Sequence, residues 1–290
     1  MTTALVGFAV AAAAPAPQSS DAILVQGERQ RAQIDNFVGQ LRPTYGNYQL
    51  GKFLQPVCPE AVGLDGAQNL DVADRMRRLA EAAKVEVGPN GCTTNVLLLV
   101  VKDKPGAMKA LARTRPDLVA GVSPTEFRQM TLAPTGAAAW QVVDLIGTDG
   151  MHLSATEMKT GAGPETEAYR QVQAVGSPSR IRELSVPQFL ASVVVVEADV
   201  ARDVTTTQLA DYALMRALTG SRETDPAPKQ SILNLVNADR TSTEAPLSAT
   251  WWDVAFLKSL YATTNAVEAS VQRDAIARQM AGELSKLPPQ

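Results

Sequence analysis

Asn95-Val-Leu-Leu-Leu-Val-Val101 is apolar after its first residue and follows the turn Gly88-Pro89-Asn90-Gly91. A run this short, bounded by turn residues and apolar at every step, reads as a strand buried on both faces. Ser192-Val-Val-Val-Val-Glu-Ala198 repeats the pattern, and Ala138–Gly147 (AAWQVVDLIG) gives a third strand. Upstream of the first strand, Val72, Met76, Leu79, Ala80 and Ala83 recur at three- and four-residue steps, which predicts an amphipathic helix from about Asn69 to Lys84. Ile34, Phe37, Val38 and Leu41 predict another over Gln26–Gln40, broken by Pro43-Thr-Tyr-Gly-Asn.

Downstream, Ala107–Arg113 and Ser123–Met130 read as short helices. The second carries a start signal, with Ser123 at the N-cap, Pro124 at the first helical position and Glu126 at the third. Gly150–Pro178, rich in Gly, Ser, Thr and Pro, reads as a long surface excursion. From Thr205 the chain turns helical, and Ala249–Tyr261 and Val267–Leu284 follow as two more helices. The expected fold is therefore α+β: a single mixed sheet with packed helices and a helix-rich C-terminal third. No linker divides the chain, so residues 21–290 are expected to form one domain.

Residues 1–20 read as a signal peptide. Ala4–Ala14 has the length of a secretory apolar core and Ala14-Pro15-Ala16 the small residues of a cleavage site, although no Lys or Arg precedes them. The expected location is periplasmic or secreted. No later segment approaches the roughly 18 apolar residues a membrane span needs, so no integral membrane segment is expected in the mature chain. Cys58 and Cys92 fit one disulfide in an oxidising compartment, with two buried free thiols as the alternative. A bond between them would join the start of the first amphipathic helix to the start of the first strand.

The net charge of −3 argues against nucleic acid as a partner, because neutralising phosphates needs a basic face. Arg75, Arg77 and Arg78 share one helix and read as a solvated face. The chain has one histidine, His152; a catalytic histidine needs an orienting carboxylate and a nucleophile or substrate proton in reach, and no catalytic pattern around it supports that role. It reads as a structural or surface residue, and a Cys/His zinc site is not expected. No nucleophile elbow, phosphate loop or dinucleotide fingerprint is present, so no cofactor and no metal are expected.

One pattern is less generic. Tyr212-Ala-Leu-Met-Arg-Ala-Leu-Thr-Gly220 is followed by Ser231-Ile-Leu-Asn-Leu235, then Leu247-Ser248, Asp253 and Leu257-Lys-Ser-Leu-Tyr261. The succession resembles the C-terminal part of matrixin-like metzincin peptidases and related bacterial zincin-like families. In those families a helix reading HELGHALGL precedes an SIMN or SLMY turn, and a closing helix of the form LSxxD…LxxLY ends the domain. Their two histidines, one helical turn apart, bind zinc, and the glutamate between them works on the bound water. Here Tyr212 stands at the first histidine, Ala213 at the glutamate, Arg216 at the second histidine and Leu233 at the methionine of the turn. The resemblance implies a zincin-like fold that has lost its metal grip and kept its packing positions, with Ser248 capping the closing helix.

The whole chain is also similar to uncharacterised secreted proteins of alphaproteobacteria, of sphingomonad type. Pro56-Val-Cys-Pro-Glu-Ala-Val-Gly-Leu64, Gly91-Cys-Thr-Thr-Asn-Val96 and Gln208-Leu-Ala-Asp-Tyr-Ala213 carry that likeness, which brings no activity with it.

Two functions follow as expectations. The first is a non-catalytic envelope protein that binds a peptide or another envelope protein, for instance by strand addition at a sheet edge. Tyr212, Arg216 and Asp211, on the face of the former metal site, and Trp252 are its candidate contact residues. Trp251 and Trp252 are adjacent on a helix, so both cannot face the core: either one packs inward and the other is a surface contact, or both pack at the rim of the core. The second is a zinc-independent hydrolase of peptide or cell-wall material built on Tyr212, Asp211 and Arg216.

Overall fold

The computed structural model describes residues 20–41, 49–147, 155–160, 167–172, 185–221, 227–236, 245–264 and 266–286. The apolar stretch at 95–101 forms β2 (Val96–Val101), an inner strand of a four-stranded mixed sheet. Parallel to it lie β1 (Pro59–Val62) on one side and β6 (Ser185–Glu197) on the other. Beyond β6, β3 (Ala137–Gly147) runs antiparallel, with a register shift between Val142 and Val143. The reversal of β3 lets β6 run alongside β2: the chain travels back along the edge and returns inside it.

Two features depart from the sequence reading. Four residues, Pro-Glu-Ala-Val, form β1, with proline at the first position of an edge strand, where no ladder donor is needed. The excursion at 150–178 carries a hairpin of β4 (Ala155–Thr160) and β5 (Glu167–Val172), a second small sheet beside the expected one. Neither ATEMKT nor EAYRQV holds an apolar run that would announce a strand. His152 and residues 1–19, most of the proposed signal peptide, lie outside the described residues.

β2 is apolar throughout because helices cover both faces of the sheet. Val96, Leu98 and Val100 face the larger cluster. Its helices are α1 (Ser20–Gln40), α2 (Gly66–Ala82), α6 (Thr206–Thr219), α7 (Trp251–Ala262) and α8 (Ala269–Leu284). Leu97, Leu99 and Val101 face a smaller cluster under α3 (Lys104–Thr114), a 3-10 turn at Pro116–Val119 and α4 (Pro124–Leu132). Ser123 caps α4 as expected, its hydroxyl accepting from Glu126 N. A five-residue helix, α5 (Ala198–Arg202), joins β6 to α6.

α6 lies at the centre, with every residue from Gln208 to Thr219 buried. Thr205 and Gln208 close its start in a reciprocal capping box. Gly220 ends it at φ +69°, the left-handed conformation that favours glycine. Gly63, at φ +102°, lets the chain leave β1, since a Cβ there would stand 1.9 Å from the Val100 carbonyl oxygen.

Disulfide-bonded Cys58 and Cys92, 34 residues apart, tie together the starts of β1 and β2. The bond therefore joins two strands rather than a helix and a strand. Among the described residues no helix is long and apolar enough to cross a membrane.

Candidate functional site

Asp211 sits on the side of α6 that meets α2. Its carboxylate is fully buried and accepts a two-pronged bond from Arg75, Nε to Oδ1 and Nη2 to Oδ2, both at 2.7 Å. A third bond, 2.7 Å from the backbone N–H of Ala249, fixes the approach to α7. Arg75 is thereby held in its charged form, first by that hydrogen bond. The arginine trio is thus not a solvated face. Arg75 clamps α2 to α6, and Arg77 donates to the Gly88 carbonyl at 2.7 Å and lies beside the disulfide. Of the three, Arg78 alone is exposed. Local spacing cannot announce a partner 136 residues away.

Tyr212 and Arg216 share one face of α6, as their spacing requires, and both are buried. The Arg216 guanidinium carbon lies 5.3 Å from the centre of the Tyr212 ring, within cation–π range. One guanidinium nitrogen donates to Ser221 Oγ at 3.3 Å and another to the Leu233 carbonyl at 3.4 Å. The Arg216 carbonyl accepts from Gln141 Nε2 of β3. Leu233 belongs to the 3-10 turn Ile232–Leu235. The 3-10 turn is therefore bonded to α6 through Arg216 and lies against the helix.

Asp253 holds that turn. Its Oδ1 accepts from Ser231 Oγ, and its Oδ2 from Ile232 N at 3.0 Å, Thr250 N at 2.8 Å and Thr250 Oγ1 at 3.0 Å. Burial pushes this carboxyl up, against the pull of those hydrogen bonds. Ser231 and Asp253 thus belong to one buried network. Thr250, not Ser248, caps α7: its hydroxyl accepts from Asp253 N at 3.2 Å.

The four candidate contact residues do not meet at one opening. Asp211, Tyr212 and Arg216 are each at most 1% exposed. Trp252 packs on Phe37, ring centres 5.4 Å apart, while Trp251 stands 60% exposed. The indole turned to solvent is thus that of Trp251. Among the described residues, no group of three or more His, Cys, Asp or Glu side chains is placed to hold a metal ion.

What the sequence does not announce is the edge formed by β3, since edges follow from topology. β3 pairs with β6 and, among the described residues, with no strand on its other side. Which backbone groups face that side follows from three bonds. Glu197 N reaches Gly136 O, so the pairs in phase with it (Ala138, Trp140 and Val142 on β3) are bonded to β6. Ser192 N turns instead to Asn95 and Phe189 N to Lys52, away from β3. Their register partners Gln141 and Val143 therefore point N–H and C=O outward. Leu145 does the same opposite Pro187, which has no N–H to give. All three are partly exposed, whereas Ala137–Trp140 are buried.

Two buried lysines also went unannounced. Lys52 Nζ donates to the carbonyls of Tyr261 and Thr263, at 3.2 and 2.6 Å, closing the end of α7; burial lowers its pKa. Lys104 Nζ donates to the carbonyls of Ala133 and Thr135 at 2.9 and 2.6 Å. Lys52 thus closes the end of α7, and Lys104 the chain that leaves α4.

No family model matches the chain, and neither the curated proteins nor the solved structures give a significant match to it.

Proposed function

We propose that the protein is an exported, non-catalytic binding module on a degenerate zincin-like frame, and that it holds an extended peptide or protein segment added as a strand to the outer edge of β3. The observation that carries this reading is the β3 edge at Gln141, Val143 and Leu145, which has no strand partner among the described residues and turns backbone donors and acceptors outward on partly exposed residues. Supporting it, α6, the 3-10 turn and α7 pack in the succession that the metzincin resemblance implies, with Arg216 bonded across to Leu233. The face that would grip a metal is occupied by the Tyr212–Arg216 pair. The disulfide fits an oxidising compartment and so the envelope. A hydrolase using Tyr212, Asp211 and Arg216 would need substrate to reach groups at most 1% exposed.

The test is selection of peptides from a random displayed library on the immobilised protein, followed by titration of the selected sequence. Val143→Pro removes an outward N–H at an edge position that tolerates proline, and Val143→Ala keeps it. The expected result is binding to wild type and Val143→Ala, loss with Val143→Pro, and an intact peptide after long incubation. Equal binding by all three proteins, no selected peptide, or cleavage of the peptide would each overturn the reading.

A further inference from the structure

The Cys58–Cys92 bond has a cation beside it that forms no ion pair among the described residues. Arg77 Nη2 lies 3.3 Å from Cys92 Sγ and 3.8 Å from Cys58 Sγ, and Nη1 donates to the Gly88 carbonyl. The acids nearest in sequence are otherwise placed: Glu60 on β1 accepts from Thr94 Oγ1, while Asp74 and Glu81 on α2 and Glu86 after it form no ion pair with Arg77. The two residues also differ in exposure, Cys92 being partly exposed and Cys58 4% exposed.

The chain around the sulfurs is held without them. Asn95 accepts from Cys58 N at 2.7 Å and donates to the Pro56 carbonyl at 3.0 Å. Val57 N reaches the Glu86 carbonyl and Gly88 N the Val57 carbonyl, at 2.8 and 2.9 Å. β1 is paired with β2 through its whole length. None of these backbone and Asn95 bonds runs through a sulfur.

We propose that Cys58–Cys92 is a thiol–disulfide exchange site, poised by Arg77 and served by an external dithiol. In the forward step a thiolate of that dithiol attacks Sγ of Cys92, the more exposed of the two residues. A bond forms between the two sulfurs, the Cys58–Cys92 bond breaks, and its electron pair leaves on Cys58 as a thiolate facing Arg77. The second thiol of the external partner, giving up its proton, then displaces Cys92. The protein ends as a dithiol reduced by two electrons, and the partner as a disulfide. A guanidinium beside both sulfurs favours each thiolate, which makes Cys58 a better leaving group and Cys92 a more ionised thiol.

The test is site-resolved alkylation of the reduced protein with iodoacetamide across a pH series, read by mass spectrometry for wild type, Arg77→Ala and Arg77→Lys. Hydrogen exchange on reduced wild type checks that β2 stays protected. A thiol acidified tenfold is about eight times more ionised near neutral pH, offset by about a threefold loss of nucleophilicity per thiolate. Cys92 alkylation near neutral pH is therefore expected to fall about threefold in Arg77→Ala, with the pH midpoint moving up toward that of a free thiol. Arg77→Lys is expected to retain much of the wild-type behaviour, and reduction of the disulfide by dithiothreitol to be slower in Arg77→Ala. A wild-type midpoint at the free-thiol value, a midpoint unmoved in Arg77→Ala, or loss of β2 protection on reduction would overturn the proposal.

Discussion

Arg75→Ala and Asp211→Asn both disrupt the two-pronged Arg75–Asp211 bond, yet the consequences should differ widely. Arg75→Ala removes the cation and leaves a carboxylate that is 0% exposed, with the Ala249 N–H as its one remaining donor among the described residues. An uncompensated buried charge costs about 3–5 kcal/mol. The Arg75 side chain is 31% exposed, so water can follow into the space it leaves, which puts the expectation at the lower end, about 3 kcal/mol. Asp211→Asn removes the charge, keeps an oxygen for Ala249 N, and leaves a guanidinium with access to solvent, so its cost should be about 1–2 kcal/mol. Urea unfolding of the oxidised protein, followed by circular dichroism with a common slope, measures both. The double variant Arg75→Ala/Asp211→Asn should be no worse than Arg75→Ala alone, because the stranded charge is gone. The reasoning is refuted if Asp211→Asn costs more than Arg75→Ala, or if both cost under about 0.5 kcal/mol.

Asp253→Ala strands Ser231 Oγ, Ile232 N and Thr250 N together, and should cost about 3–5 kcal/mol in the same assay, while Asp253→Asn, which keeps one acceptor, should cost about half as much. Lys52 is held below its ordinary value by burial, so in the window between its folded value and that of the unfolded chain the unfolded state binds more protons. Its contribution to stability therefore rises with pH through that window, and Lys52→Met should flatten the alkaline limb of a stability–pH profile. Gly63→Ala drives a Cβ into the Val100 carbonyl from a left-handed backbone and should cost roughly 2–4 kcal/mol. Gly66→Ala, where a Cβ meets nothing within 4 Å, should be neutral or stabilising by thermal melting.

The strands that were legible are those buried on both faces, because only double burial writes an unbroken apolar run such as Val96–Val101. β1 is four residues at an edge and begins with proline, so nothing in its composition distinguishes it from a turn. The one-turn spacing of Tyr212 and Arg216 was readable from helical period alone. That the face is closed was not, because the closing groups, Leu233 and Ser221, come from chain beyond the helix. Arg75 shows the same limit: its neighbours on α2 look solvated, and its partner is set by how α2 packs on α6. Between the two tryptophans, sequence requires that they diverge, and the position of Phe37 on α1 decides that Trp252 is the one drawn in.

Backbone amide hydrogen exchange on the complex with the selected peptide bears most directly on the proposed binding edge. Exchange should slow at Gln141, Val143 and Leu145, whose N–H groups face outward, and stay as it was at Val142 and Asp144, turned toward β6. A peptide that binds while leaving those three amides unchanged would place the contact elsewhere and contradict the account.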